Sequence, residues 1–398
     1  MNFTKAFAAM SLAALMGTGL ASAQSCPGNA FLSHLGKNRL MVGMMPEEHD
    51  LFSWQNPALV DVRYIYIADA VPVTDQSPAT CAQNPQSRWW GCWSQPTGRH
   101  LTRFLELTER AQQIPMITYY TWAQTVGEGN PAQGLQNANF LRAYFNDWRF
   151  LLGLVGNRKV IIHSEPDLWG YFQQSQGGNN MPSAVQAADI AAASQNDCVG
   201  DDFPNTLVGF SRCIIHMTRK YAPNALIGLH ASFWSHWNQN AQIQGQYLHE
   251  LGADRTDFMT YEASDRDARF WLMQGRTDTW FYWPAEQDFT NYFNWAATLN
   301  SVDKKPMVWW QIPLGNETQP NTPANDFVPQ YERRGYWDNR VDYFLTHGDA
   351  LAARGFVLMA FGRGEGRQTN PLSDGGNFVR RTIAYKQSNQ GFNICGRP

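Results

Sequence analysis

Ser164-Glu165-Pro166-Asp167 sets two carboxylates two positions apart, directly behind the apolar run of residues 160–162. A carboxyl group at the end of a buried strand can give or take a proton where a polar bond is broken. Splitting the bond between two sugar rings needs such a group twice. One carboxyl protonates the leaving oxygen, and the other attacks the carbon or activates a water. Either Glu165 or Asp167 serves as the first, with its neighbour setting its proton affinity. Glu262, Asp265 and Asp69 are the candidates for the second, each at or just beyond the end of an apolar, aromatic run.

Each of these groups also has a plainer use. Glu165 or Asp167 could cap a helix, Glu262 could pair with Arg266 or Arg269, and Asp69 could cap the loop behind it. Other chemistries lack their signatures. His49, His163, His230 and His236 are scattered, with no His-x-His after the first run and no His-Glu-x-x-His, so no metal is expected. There is no Gly-x-Ser-x-Gly turn for a serine nucleophile. Gly362-Arg363-Gly364-Glu365-Gly366 lacks a phosphate-binding lysine and reads as a tight rim loop. No cofactor is called for.

Aromatic residues make up 14% of the chain and include 16 Trp. Flat rings stack on flat ligand faces while an indole N–H bonds a polar atom, which suits sugars. Trp122, Trp169, Trp234 and Trp310 are the expected platforms, with Tyr120, His163, His230, Tyr261, Gln311 and Glu365 as further substrate contacts. In Trp309-Trp310 the alternation of a strand turns one ring inward and the other toward a helix.

The elements that must position these residues follow from hydropathy. Eight strand-like runs lie at residues 40–45, 63–69, 115–120, 159–163, 225–230, 258–261, 306–311 and 355–361. Continuous apolar runs suit strands buried on both faces, as in a parallel sheet. Helical patterns at 101–113, 139–154, 207–221, 243–251, 289–299 and 334–353 separate most of them, and 377–387 follows the last. The alternation predicts an α/β fold, a single (β/α)8 TIM-type barrel, regular or distorted. A doubly wound sheet would need a glycine-rich turn after the first strand, where Met44-Met45-Pro46-Glu47 stands. The loops at 70–98 and from 167 to about 202 are long, and a barrel places them on its C-terminal face, where active sites form.

Ser164-Glu165-Pro166 resembles the Asn-Glu-Pro that ends strand four in the large retaining clan of glycoside hydrolases. That resemblance implies Glu165 as acid/base and a nucleophile at the end of strand seven, where this chain has Gln311. Residues 160–167, with Leu168 next, are similar to the Glu-Pro-Asp segment of glycoside hydrolase family 6, an inverting family. Cys198, Cys213, Tyr221-Ala222-Pro223-Asn224 and Leu229-His230-Ala231-Ser232-Phe233-Trp234 extend this similarity. It implies Asp167 as the general acid and Asp69 in the place of a second aspartate. Tyr261-Glu262 is similar to the Tyr-Asp ending strand six in family 18 chitinases.

The ends and the cysteines speak to location. Lys5, the apolar stretch of residues 6–20 and Ala21-Ser22-Ala23 form a secretory signal, residues 1–23, ahead of one catalytic domain at 24–398. Six cysteines permit fifteen pairings. The short-range choice is Cys81–Cys92 and Cys198–Cys213, with Cys26–Cys395 tying the termini. A net charge of −3 argues against nucleic acid or an anionic membrane as partner. The expectation is a monomeric glycoside hydrolase, periplasmic or extracellular, acting on a β-linked poly- or oligosaccharide. A barrel that binds glycans without cleaving them is the alternative, favoured by Gln311. Hydrolysis of another bond, as in peptidoglycan, is a third reading.

Overall fold

The structure, a computed structural model, describes residues 26–45, 59–72, 81, 88–175, 181–236, 240–262, 266–267, 270, 274, 286–315, 340–362, 368–371 and 374–395. Residues 1–23, expected as a leader, and Glu47, Glu48, His49, Asp265 and Glu365 lie outside them, as does the side chain of His236.

Eight parallel strands close into a barrel in chain order. They are β1 (Met41–Met44), β2 (Val62–Ala68), β3 (Ile114–Tyr120), β4 (Ile161–Ser164), β5 (Leu226–Ser232), β6 (Phe258–Glu262), β7 (Met307–Ile312) and β8 (Phe356–Phe361). Closure comes from β1 pairing with β8, Met41 opposite Leu358. All eight expected strands are present.

Thirteen α-helices surround and cap the barrel among the described residues. They are α1 (Pro27–His34), α2 (Arg99–Arg110), α3 (Trp122–Val126), α4 (Pro131–Gln136), α5 (Ala138–Val155), α6 (Leu168–Ser175), α7 (Ile190–Ala193), α8 (Leu207–Tyr221), α9 (Ala241–Glu250), α10 (Glu286–Asn300), α11 (Arg340–Thr346), α12 (Gly348–Ala353) and α13 (Asn377–Gln387). The helix expected over 334–353 is interrupted at His347. Gly348 starts a new helix there, at a point where a Cβ would meet the Tyr385 ring at 2.6 Å.

Local chemistry explains the longest element. The Asn137 side chain accepts the free backbone N–H groups of Asn139 and Phe140, which opens α5, and Gly156 at φ 56° closes it. Its inner face buries Tyr144, Trp148, Leu151 and Leu152 against the barrel wall.

Contacts between rings reveal which strand positions face inward. Tyr66 on β2, His163 on β4 and His230 on β5 each approach Trp310 on β7. These strands are not neighbours of β7, so the contacts lie in the barrel interior. The alternate residues face the helices. Trp309 packs on Phe293 and Phe344, Tyr119 on Tyr144 and Trp148, and Tyr261 on Trp295. At the opposite end Phe31 of α1 meets Phe258 edge-on.

The cysteines pair as Cys26–Cys395, Cys81–Cys92 and Cys198–Cys213. The first ties α1 to the segment after α13, and the second closes the loop behind β2.

Candidate active site

The C-terminal ends of β4, β5 and β6 bring three chemically capable side chains together. Asp167, His230 and Glu262 each offer an atom within 4.8 Å of the others. The loop after β4 carries Asp167 at φ 66°, a left-handed turn that is uncommon outside glycine. Its Oδ1 accepts the Ser232 hydroxyl at 2.6 Å and the Trp234 indole N–H at 2.9 Å. Its Oδ2 has no hydrogen-bond partner among the described residues. Asp167 is half-buried, whereas Glu262 is 5% exposed. A carboxylate clamped through one oxygen and open at the other suits a group that reacts.

His230 closes the triangle, with Nε2 3.7 Å from Asp167 Oδ1. Its Nδ1 lies 2.9 Å from His163 Nε2, and His163 Nδ1 lies 3.4 Å from the Thr118 hydroxyl. Burial pushes the His163 imidazole well below its ordinary range, and its neighbour His230 adds to the effect. Burial lowers His230 to about 4, although Asp167 pulls the other way. Both rings are neutral at pH 7.

Half-exposed aromatics surround Asp167. Tyr171, one helical turn past it on α6, lies 5.0 Å from the Trp234 ring. Tyr120 from β3 donates to Glu128 at 3.4 Å. Burial and then the charge of Asp167 hold the Tyr120 and Tyr171 hydroxyls protonated, above the usual tyrosine range. Trp310, 3% exposed, lies inside the barrel against the two histidines. Gln311, at φ 54°, donates to the Tyr66 hydroxyl.

Other expected site residues lie elsewhere. Glu165 is fully buried and turned outward, at φ 46°. Its carboxyl accepts the backbone N–H groups of Thr121 and Trp122 at 3.2–3.3 Å, the Thr121 hydroxyl at 3.2 Å and the Tyr144 hydroxyl at 2.9 Å. It caps α3 and ties it to α5, and burial raises its carboxyl to about 8. Trp122 cannot offer a sugar platform, because its ring is enclosed by Phe140, Tyr144, Phe172 and Phe210. Trp169 is 1% exposed and faces Phe210, and Tyr261 is turned outward against Trp295. Asp69 caps the Ala70 N–H at φ 93° and pairs with Arg88 and Trp93, without a bond to Asp167 or Glu262.

Sequence reasoning missed Ser232, Tyr171 and Thr118. Two signals could have found the first two. Ser232 lies two residues past His230 on the same face of β5, and Tyr171 lies four past Asp167 at the start of a helix. Of the described side chains, Asp167, His230 and Glu262 form the group spaced to receive a cation.

The fold is a (β/α)8 barrel whose candidate site sits at the C-terminal strand ends, where barrel enzymes carry theirs. Among solved structures, one is similar at a TM-score above 0.5. A trimodular endoglucanase of subfamily GH5_4 matches over 90% of this chain with a TM-score of 0.52 and 10% identity. The chain spans 62% of that protein's length. A GH26-CBM35 β-(1,4)-mannanase from Podospora anserina aligns over 93% of this chain and 66% of its own, with a TM-score of 0.43 and 10% identity. Xylanase 10B from Thermotoga maritima aligns over 90% of this chain and 97% of its own, with a TM-score of 0.44 and 8% identity. No family model matches the sequence, and no curated protein matches it. At 10% identity the first of these likenesses shows the fold alone.

Proposed function

We propose that this protein is a secreted glycoside hydrolase that cleaves a β-linked poly- or oligosaccharide, with Asp167 and Glu262 as its carboxylate pair. The observation that carries the reading is that pair: two carboxyl groups from β4 and β6, oxygen within 4.8 Å of oxygen, beside half-exposed aromatic rings. Oxygens within 4.8 Å of each other fall short of the roughly 6.5–9.5 Å that leaves room for an attacking water, which favours the closer, retaining arrangement. Tyr120, Tyr171 and Trp234 are the surfaces on which a sugar ring would rest. The sole neighbour above a TM-score of 0.5, among those named, is an endoglucanase by its description, which makes a β-glucan the first substrate to try. Export is supported by the leader at residues 1–23 and by three disulfides, which persist in oxidising compartments. The chain works as one catalytic domain, a monomer with carbohydrate as its partner and no cofactor.

The test is incubation of the purified protein with carboxymethylcellulose, mixed-linkage β-glucan, xylan, mannan and peptidoglycan, followed by assay of new reducing ends. Proton NMR of the first product formed gives the anomer, and retention is expected. Glu262→Gln should reduce turnover by about 10²–10⁴-fold. Binding to these polymers with no release from any of them would replace this reading with a glycan-binding barrel.

A further inference from the structure

A chain of buried polar groups crosses the barrel interior from β3 through β4 to β5. Thr118 Oγ1, the two nitrogens of His163 and Nδ1 of His230 follow one another at 3.4 and 2.9 Å. The last atom, His230 Nε2, is buried without a hydrogen-bond partner among the described residues and lies 3.7 Å from Asp167 Oδ1. A Glu262 oxygen is within 4.8 Å.

Each ring is neutral and carries one N–H, so the chain can run in two directions. In the first, His230 Nδ1–H donates to His163, His163 Nδ1–H donates to the Thr118 oxygen, and a bare Nε2 lone pair faces two carboxyl groups. In the second, the Thr118 O–H donates to His163 Nδ1, His163 Nε2–H donates to His230 Nδ1, and His230 Nε2–H faces the carboxyls. A lone pair against carboxylate oxygens repels, whereas an N–H attracts, and burial magnifies the difference. The second direction is favoured.

We propose that the chain Thr118→His163→His230 delivers a neutral N–H to the carboxylate pair, and that His230 is a positioning residue that fixes Asp167 as the charged, attacking member and leaves the transferable proton on Glu262. The assignment rests on the glycoside hydrolase reading of the site. With His230, three donors converge on Asp167 Oδ1, the others being Ser232 and Trp234. Among the described residues, the titratable groups facing Asp167 are His230 from β5, Glu262 from β6, Tyr120 from β3 and Tyr171 from α6, with Glu128 behind the two tyrosines. Catalytic hydrogen bonds are often long without substrate and shorten when it binds, so the 3.7 Å gap fits a donor waiting for its load.

Imidazole 15N NMR of the wild-type protein at neutral pH tests the direction, with His163→Gln and His230→Gln assigning the signals. The proposal expects Nε2–H and unprotonated Nδ1 on both rings. Nδ1–H on His230 would overturn it and leave Nε2 as a ligand for a cation. This measurement needs no turnover, so it stands or falls apart from the hydrolase reading. On the polymer that the wild type cleaves, His230→Leu should lose about 100-fold in kcat, the worth of one hydrogen bond to a charged group. KM should stay within about threefold, because the bond acts on the reacting carboxylate rather than on the bound sugar. The acidic limb of the pH–rate profile should move up, since a carboxylate stripped of a donor ionises at higher pH. His230→Gln, whose amide can accept from His163 and donate onward, should recover activity to within about tenfold of wild type. Equal losses in the Leu and Gln variants with an unmoved acidic limb would mean that His230 only fills space.

Discussion

Glu165 and Asp167 leave β4 two residues apart and enter opposite surroundings. Glu165 turns outward between the barrel wall and α5, where both oxygens are engaged and none of its surface is exposed. Beside it Asp147 accepts the indole N–H groups of Trp89 and Trp90 and the Tyr119 hydroxyl, also fully enclosed. Asp167 turns inward to the mouth, half-buried, with one oxygen held and the other unbonded among the described residues. The two regions use the same residue types, carboxylates with Tyr, Trp and Thr. What separates them is saturation: the outer network has no free acceptor to offer a ligand, and the inner one does. A carboxylate next to a strand end is thus a brace or a reagent according to how completely its neighbours satisfy it.

The largest effect separates these two carboxylates. Asp167→Asn should lower turnover by about 10²–10⁴-fold, with the melting temperature little changed. Glu165→Gln keeps an acceptor for Thr121, Trp122 and Tyr144, and its activity should stay within about tenfold of wild type, the scale of one altered hydrogen bond. Initial rates on the cleaved polymer decide it. A loss in Glu165→Gln as large as in Asp167→Asn, in a protein that melts normally, would erase the distinction between brace and reagent.

The next effect falls on stability within the outer network. Asp147→Leu strands the Trp89, Trp90 and Tyr119 donors in a buried site, at about 1–3 kcal/mol for each. The loop behind β2 that carries both tryptophans would lose its anchor to α5. We expect a loss of about 3 kcal/mol or more in urea unfolding at pH 7, with the folded fraction retaining its activity. An unchanged unfolding midpoint would show that Asp147 merely sits among these groups.

The barrel was legible because its signals are long and repeated. Eight apolar runs separated by amphipathic helices leave few alternatives. The cysteine pairing, chosen by short range and by joining the termini, is the one the structure contains. The end of the barrel at which to look for a site was legible too, since a parallel barrel sends one end of every strand to a common mouth. The direction of individual side chains was not. Simple alternation from the inward His163 would send both Glu165 and Asp167 inward. The chain instead takes positive φ at Glu165, and again at Asp167, and this throws Glu165 to the outside. Nothing in the letters announces left-handed backbone at a glutamate, because the cost is met by the hydrogen bonds that receive it. Tyr261 and Glu262 illustrate a softer limit: alternation admits one of them to the mouth, and only the wall contacts of Tyr261 reveal which. The aromatic count misled for a similar reason. Trp122 and Trp169 fill the space between wall and helices, and composition does not distinguish a packed indole from an open one.

The smallest expected effect uses pH to read the outer network alone. Burial raises the Glu165 carboxyl from an ordinary value of 4.5 to about 8, so the folded state holds a proton there that the unfolded chain releases. Its contribution is fully present below about pH 4.5 and is lost as pH rises through about 8. Asp147, raised to about 6, follows the same sign but has finished titrating by pH 7. The inner histidines have the opposite sign. Lowered below 6.5, they oppose folding as pH falls through that value and are neutral in both states above pH 7. Between pH 7 and 8 the outer carboxyl is therefore isolated from the inner pair. Wild-type unfolding free energy should fall there relative to Glu165→Gln by about 1 kcal/mol per pH unit, measured by urea titration. Parallel curves for the two proteins would mean that Glu165 is already ionised at pH 7, which would make the outer brace a charged network like the inner one.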